Sequence, residues 1–261
     1  MNPRWQPLAD AAGRWETDLG AWFAGERVVF RGRDLLNDLA PLPWMELLLY
    51  GITGRRFTPE QVKLFEQIWT FSISYPDPRL WNNRVAALGG SARTTAALAA
   101  GAATAVTEAR IYGGQANHGA ISFIRRARLA ANLEAEVNEE LRRRRHVPGY
   151  GRPIVADDER NGPVLRLARE LGLADGPHLA LAFEVERLLR RRRMKMNITG
   201  LAAALAADQG LTPPEYQAYL AFGFGAGIVA CYVDAAAHPE QAFFPFDCAR
   251  IEYEGPPPRS W

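Results

Sequence analysis

H-V-P-G-Y-G-R-P-I-V-A-D-D-E-R, residues 146–160, and M-K-M-N-I-T-G-L-A-A-A-L, residues 194–205, bracket a helical pattern in the second half of this chain. Each segment sets glycine beside polar side chains, so the backbone can approach a ligand where hydrogen-bonding groups stand ready. A third segment of the same kind, G-G-Q-A-N-H-G-A, lies upstream at Gly113–Ala120. The three loops together predict one cleft.

With 261 residues the chain can bury a large core, and 48% hydrophobic against 23% charged residues is ordinary for a globular protein. A formal charge of +2 gives no support to nucleic acid as a partner. The basic residues nevertheless cluster, at Arg142–Arg145 and at Arg190–Arg193. Such runs read first as solvated helix faces, then as sites for phosphate oxygens, and last as nucleic-acid surfaces. Cys231 and Cys248 are the two cysteines, without a Cys-x-x-Cys pair or a Cys/His spacing, so neither a disulfide framework nor a metal site is expected. The N-terminal M-N-P-R-W-Q-P lacks the apolar core of a signal peptide. The apolar run Tyr219–Val233 is interrupted by glycines and falls short of the ~20 residues of a membrane span, so it reads as a buried helix. These observations predict a soluble, cytoplasmic protein that does not enter a membrane.

Helix signals dominate the rest. Apolar residues from Arg14 to Phe23 recur at helical spacing, and E-R-V-V-F-R-G-R-D-L-L reads as a hairpin or extended piece entering a helix. Thr58-Pro59-Glu60-Gln61 joins an N-cap, an N1 proline and a capping-box glutamine ahead of Val62, Leu64, Phe65, Ile68 and Trp69 on one face. Thr212-Pro213-Pro214-Glu215 repeats the signal before a helix predicted over Tyr216–Ala237. Ala92–Thr107 is rich enough in alanine to predict a tightly packed, buried helix. Gly223, Gly225 and Gly227 predict a close helix–helix approach, because each glycine otherwise costs about 1 kcal/mol in a helix. The fold class is therefore all-α: a large helical domain over 1–148 and 209–261, and a smaller helical domain over 149–208 that closes over the cleft.

In their order, G-x-x-x-H-G-A, P-G-x-G-x-P with D-x-R shortly after, and N-x-x-G-x-x-A-A-L resemble the citrate synthase superfamily, and its short citryl-CoA lyase type most of all. V-V-F-R-G-R-D-L-L followed by P-W-M-E-L-L-L-Y-G is similar to that family's entry segment, and I-E-Y-E-G-P-P-P-R to the short members' ending. The resemblance implies a helical homodimer that joins or splits a carbon–carbon bond between an acyl-CoA enolate and a carbonyl. It also implies a coenzyme A thioester as cosubstrate, no permanently bound cofactor, and a small acidic substrate. The chemistry requires a base for the proton beside the thioester, a donor to the enol oxygen and a donor to the carbonyl under attack.

Carried over by position, His118 matches the histidine that donates to the enol oxygen; taken alone, a histidine there more often serves a structural role. Arg152 stands where the family's P-G-x-G-H-P loop has its second histidine. Thr199, in Asn197-Ile198-Thr199-Gly200, stands where N-V-D-G has its aspartate base. Arg160 matches the arginine of D-P-R that holds a substrate carboxylate, while a second carboxylate arginine falls near Phe224. Asn197, Asp158 and Arg259 complete the substrate side, Arg259 at a position that can reach toward a partner's site. Gly149 and Gly151 provide the backbone expected against coenzyme A. A threonine hydroxyl is not a proton acceptor near neutral pH without an activating base, and a permanently charged arginine cannot shuttle a proton. The cleft therefore reads as more cationic and less basic than the family's. Asp157 and Asp158 are candidate replacement carboxylates, with His146 behind them, although aspartates at this place also serve to charge a helix N-terminus.

Three functions are consistent with this pattern. The first is a divergent carbon–carbon lyase or acyltransferase acting on an acyl-CoA with an acceptor other than oxaloacetate. The second is a non-catalytic binding or regulatory subunit on the same fold. The third is CoA-independent chemistry on an acidic substrate.

Overall fold

The computed structural model describes residues 3–14, 16–72, 76–110, 113–152, 157–240, 242, 248–250 and 252–257. Internal packing divides the chain into two compact units, Met1–Glu66 and Gln67–Trp261.

The first unit opens with α1 (Gln6–Asp10) and an antiparallel meander of β1 (Gly20–Phe23), β2 (Arg27–Phe30) and β3 (Arg33–Asp34) in that order. Phe23 pairs with Arg27 across a turn that holds Gly25 at φ 75°. Asp34 ends the meander: its Oδ1 accepts from Leu36 N and Asn37 N and starts a helical turn over Leu35–Leu39. The hairpin is fastened to α2 (Trp44–Thr53) by Tyr50, whose hydroxyl donates to Arg31 O at 2.8 Å and whose ring meets Phe30 edge-on. The extended entry predicted from V-V-F-R-G-R-D-L-L is therefore present. The helix predicted over Arg14–Phe23 is not, because Gly20–Phe23 is paired as a strand whose aromatics lie on the surface. α3 (Pro59–Ser72) starts on the predicted capping box, Thr58 N donating to Gln61 Oε1 and Gln61 N to Thr58 Oγ1. Val62, Leu64, Phe65 and Ile68 are buried along it.

The second unit is a helical assembly of α4 (Trp81–Ser91), α5 (Ala96–Val106), α6 (Gly114–Leu129), α7 (Leu133–Arg144), α8 (Asn161–Glu170), α9 (Pro177–Leu189), α10 (Ile198–Asp208), α11 (Pro213–Leu220) and α12 (Gly225–Ala237). α10 is its axis. Leu201–Ala207 are all buried, and the alanines let α6 and α9 lie close on either side. Its two ends are tied down by carboxylates or amides: Asn197 Oδ1 accepts from Gly200 N, and Asp208 accepts from the backbone N–H groups of His178 and Leu179 at the start of α9. A second layer joins α4, α5 and α12 through Ala86, Ala103, Ile228, Ala87, Cys231 and Ala235.

Three sequence expectations are corrected here. The wholly buried alanine-rich helix is α10; α5 buries only Ala99 and Ala103 and leaves Leu98 68% exposed, because its alanine face meets α4 and α12 on one side only. The helix predicted over Tyr216–Ala237 is broken at 221–224 into α11 and α12, and Phe222, Val229 and Val233 are exposed, so this stretch is not a buried helix. By length and composition alone 213–237 suffices to cross a membrane, but the break leaves helices of 8 and 13 residues, each below the ~20 a span requires. Of the glycines predicted to allow a close approach, Gly223 does so against Trp69 of α3, whose Nε1 would lie 3.0 Å from a methyl there, while Gly225 has nothing within 4 Å; the tightest contact to α12 is at Gly90, where a methyl would lie 2.4 Å from Tyr232 O.

Candidate functional site

Two of the three glycine-bearing segments meet as loops in a backbone contact, and the third reaches them as the start of α6 rather than as a loop. Gly149 has φ 88°, and a methyl group there would lie 2.6 Å from Gly200 Cα. A methyl on Gly200 would lie 2.4 Å from Gly149 O. Neither position tolerates a side chain without moving the other loop. Asn197 then stitches the loops together, its N donating to Gly149 O at 3.0 Å and its Nδ2 to Gly151 O at 2.9 Å. Gly151 N donates to Lys195 O, and Tyr150 forms a bridge with Met196. Tyr150 is buried against Phe123 of α6, with its hydroxyl donating to Ala182 O on α9. The third segment, read from the sequence as a loop, is the first two turns of α6, where Gly119 backs onto Pro148 and Ala120 onto Gly149. His118, half-buried in the second turn of α6, immediately precedes that contact. Thr199, also half-buried, is the second residue of α10, two positions after the Asn197 cap.

Asp157-Asp158-Glu159 lies against this junction, and each carboxylate meets a different cation. Asp157 pairs with Lys195 Nζ. Asp158 takes the Nε and Nη2 of Arg160 at 2.8 Å each, and its Oδ2 also accepts from Ile198 N, the first N–H of α10. Glu159 takes Arg152 Nη1 at 2.6 Å, and the same Nη1 donates to Asp157 O. Burial alone would raise the Asp158 pKa, but the bonds from Arg160 and Ile198 outweigh it and hold the carboxyl below its ordinary value. The Arg152 hydrogen bond likewise lowers Glu159. The junction is therefore not as cationic as Arg152, Arg160 and Lys195 alone imply, because the acidic tripeptide pairs with these three charges. The aspartate expected to charge a helix N-terminus does so at α10, which is distant in sequence, rather than only at the helix that follows it.

Beside the junction opens a pocket of about 740 Å³, lined by Phe183, Arg187, Arg190, Arg193, Met194 and Lys195 together with Asp157 and Glu186. Arg190–Arg192 forms a 3-10 turn and Arg193 adopts φ 55°, which turns the chain back toward the Asn197 loop. Guanidinium groups lining the same pocket as Phe183 and Met194 suit a phosphate-bearing ligand with an apolar portion. The other arginine run is structural. Arg144 Nε and Arg126 Nη2 clasp the buried Glu140 carboxylate at 2.8 and 2.7 Å, Arg142 pairs with Glu139, and Arg145 ends α7 at φ 62°.

Of the residues singled out in the sequence, the structure brings Gly149, Gly151, Arg152, Asp158, Arg160, Asn197 and Thr199 into one neighbourhood, with α6 and His118 alongside. His146 lies on the surface before it, its Nδ1 with Arg144 O. Arg259 lies outside the described residues. Sequence reading missed Glu159 and Lys195, the partners of Arg152 and Asp157, and Glu186, whose Oε1 accepts from Met196 N. A signal was present in the acidic run next to isolated cations, but pairing across 38 positions, as in Asp157 with Lys195, has no local signature.

The chain matches the family model described as citrate synthase, C-terminal domain, over residues 21–241. No curated protein matches it significantly. Among solved structures, the citryl-CoA lyase of Hydrogenobacter thermophilus is 23% identical with a TM-score of 0.83, covering 95% of this chain and 97% of that one. The ATP citrate lyase of Methanothrix soehngenii, in complex with citrate and coenzyme A, is 16% identical with a TM-score of 0.78; it covers 98% of this chain, which spans 44% of that protein. The citrate synthase of Thermoplasma acidophilum, in a ternary complex with carboxymethyl coenzyme A and oxaloacetate, is 16% identical with a TM-score of 0.65, over 85% of this chain and 60% of the other. With the family's motifs in the family's order on the family's helical fold, this chain belongs to the citrate synthase family, as one of its short members.

Proposed function

We propose that this chain is a divergent enzyme of the citrate synthase type, making or breaking a carbon–carbon bond between an acyl-CoA thioester and a small acidic substrate other than oxaloacetate. The observation that carries the reading is the Gly149–Gly200 junction, which sets Thr199, Asn197, Arg152 and Arg160 beside a pocket bearing four cations, Arg187, Arg190, Arg193 and Lys195. The ATP citrate lyase named above is in complex with citrate and coenzyme A, and the citrate synthase with carboxymethyl coenzyme A and oxaloacetate, which supports the same pair of ligand classes here. The phosphates of coenzyme A would lie on the second arginine run, and the thioester beside Gly149 and Gly151.

In the condensing direction a base removes a proton from the carbon next to the thioester, and the resulting enol carbon attacks a carbonyl carbon. The carbonyl oxygen then takes up a proton and becomes a hydroxyl; cleavage runs the same bonds backward. In this assignment His118 donates to the enol oxygen and Arg152 stabilises the oxygen of the carbonyl under attack. Arg160, with Asp158 and Asn197 behind it, holds a carboxylate. Thr199 positions a ligand or a water where the family has its base. Residues 149–208 act as the small domain over the cleft. The active form is a homodimer, for which the exposed apolar residues Leu98 of α5 and Val229 and Val233 of α12 offer a face, and it works in the cytoplasm.

One observation favours a non-catalytic subunit instead. Asp157, Asp158 and Glu159 are all engaged by cations, and the hydrogen bonds to Asp158 and Glu159 hold those two carboxyls below their ordinary values, which weakens both as a replacement base. Hydrogen–deuterium exchange at the α-carbon of a panel of acyl-CoAs decides between them. Native exchange that survives Thr199→Ala supports the enzyme with its base elsewhere; no native exchange, with exchange appearing in Thr199→Asp, supports the subunit. A chain that neither binds nor exchanges any acyl-CoA overturns the proposal.

A further inference from the structure

Two departures from the family pattern lie seven residues apart and touch. Arg152 replaces the histidine of P-G-x-G-H-P, and Glu159 occupies the proline position of D-P-R. Arg152 Nη1 and Glu159 Oε2 are 2.6 Å apart. A histidine exchanged for arginine adds one full positive charge, and a proline exchanged for glutamate adds one negative charge beside it. The two changes cancel in net charge and create a pair that neither creates alone.

The pair is also asymmetric. The Arg152 side chain is 23% exposed, at the edge of the junction, whereas Glu159 is 65% exposed on the solvent side. Asp157 O accepts from the same Nη1 and fixes the guanidinium. A ligand carboxylate approaching Arg152 must displace Glu159 or bear its repulsion, while a hydroxyl or carbonyl oxygen meets no such charge.

We propose that Glu159 is a specificity-determining residue: by neutralising Arg152 it excludes a second ligand carboxylate there and selects an acid with one carboxylate and a neutral oxygen facing Arg152. This deepens the functional reading above and rests on it. Asp158 is not interchangeable with Glu159 in this role, because its side chain is buried and also accepts from the first N–H of α10.

Calorimetric titration of the full chain, native and variant, with citrate as a polycarboxylate probe and pyruvate as a monocarboxylate probe tests this. Glu159→Gln is expected to tighten citrate binding by about five-fold, the scale of a partly exposed charge pair, and to change pyruvate binding by less than about two-fold. The citrate gain should vanish in the Arg152→Gln, Glu159→Gln double variant, since it acts through Arg152. Unchanged citrate affinity in Glu159→Gln overturns the proposal, as does an equal gain in the double variant, which would mark a general loss of negative charge. Coenzyme A titrated in parallel judges the functional reading separately: a native chain that binds no coenzyme A sinks that reading, whereas coenzyme A binding with no citrate gain sinks only the role of Glu159.

Discussion

Gly200→Ala sets two physical effects of opposite sign against each other. Gly200 is the third residue of α10, and in a helix alanine is favoured over glycine by up to about 1 kcal/mol. Packing opposes this, because the new methyl would lie 2.4 Å from Gly149 O and 3.2 Å from Gly149 Cα. Relief requires the two backbones to part by about 1 Å to reach ordinary contact. Gly149 O is the acceptor for Asn197 N, so the same movement stretches a bond worth about 1 kcal/mol. Overpacking at about 1–3 kcal/mol plus the weakened bond, less the helix gain, leaves a net loss of about 2 kcal/mol. That would lower the melting temperature by about 4–8 °C for a chain of this size. Gly101→Ala, the same exchange in α5 with nothing within 4 Å, should stabilise by about 0.5–1 kcal/mol. Urea unfolding followed by far-ultraviolet circular dichroism measures both. A Gly200→Ala variant as stable as the native protein, or gaining as much as Gly101→Ala, would refute the argument that the loops meet backbone to backbone. Displacement of the 149–152 loop should also weaken ligand binding at Arg152 in the Gly200 variant only.

Asp158→Asn removes the charge that Arg160 and Ile198 N bind, and should cost about 2 kcal/mol at neutral pH. Because the folded-state pKa of Asp158 lies below the ordinary 3.8, its contribution is complete above that value and fades as pH falls below it. Acid unfolding curves should thus converge for native and variant at low pH; a constant gap would contradict the assignment. Tyr216 is fully buried, and its hydroxyl has no protein hydrogen-bond partner among the described residues, so Tyr216→Phe should leave the melting temperature unchanged or raise it. A loss above about 1 kcal/mol would reveal a partner for that hydroxyl. Val233 is 58% exposed on α12, and Val233→Asp should shift sedimentation from dimer to monomer with little change in helicity. Unaltered sedimentation would remove this face from the interface.

Much of the helical framework was legible because its signals are local. Thr58 with Gln61 and Thr212 with Glu215 announce capping boxes within four residues, and both are present. The errors came where similar compositions have different neighbours. Ala92–Thr107 and Ile198–Asp208 are both alanine-rich, yet α10 is enclosed between α6 and α9 while α5 presents Leu98 to solvent. Alanine spacing records that a helix can pack closely, not how many sides are covered. The three-residue turn around Gly25 likewise converted an apparent helical period into a hairpin.

By itself the sequence determined the family, the helical class and the order of the cleft-forming loops, because glycine, proline and capping residues act over a few neighbouring positions. Tertiary structure alone decided the charge of the cleft. Arg152 and Arg160 read as cations of the cleft along the chain, and the folded structure pairs them with Glu159 and Asp158 and joins the unremarked Lys195 to Asp157. Electrostatic energy depends on distance in space, so a charge pattern read along the chain does not fix the field in the site.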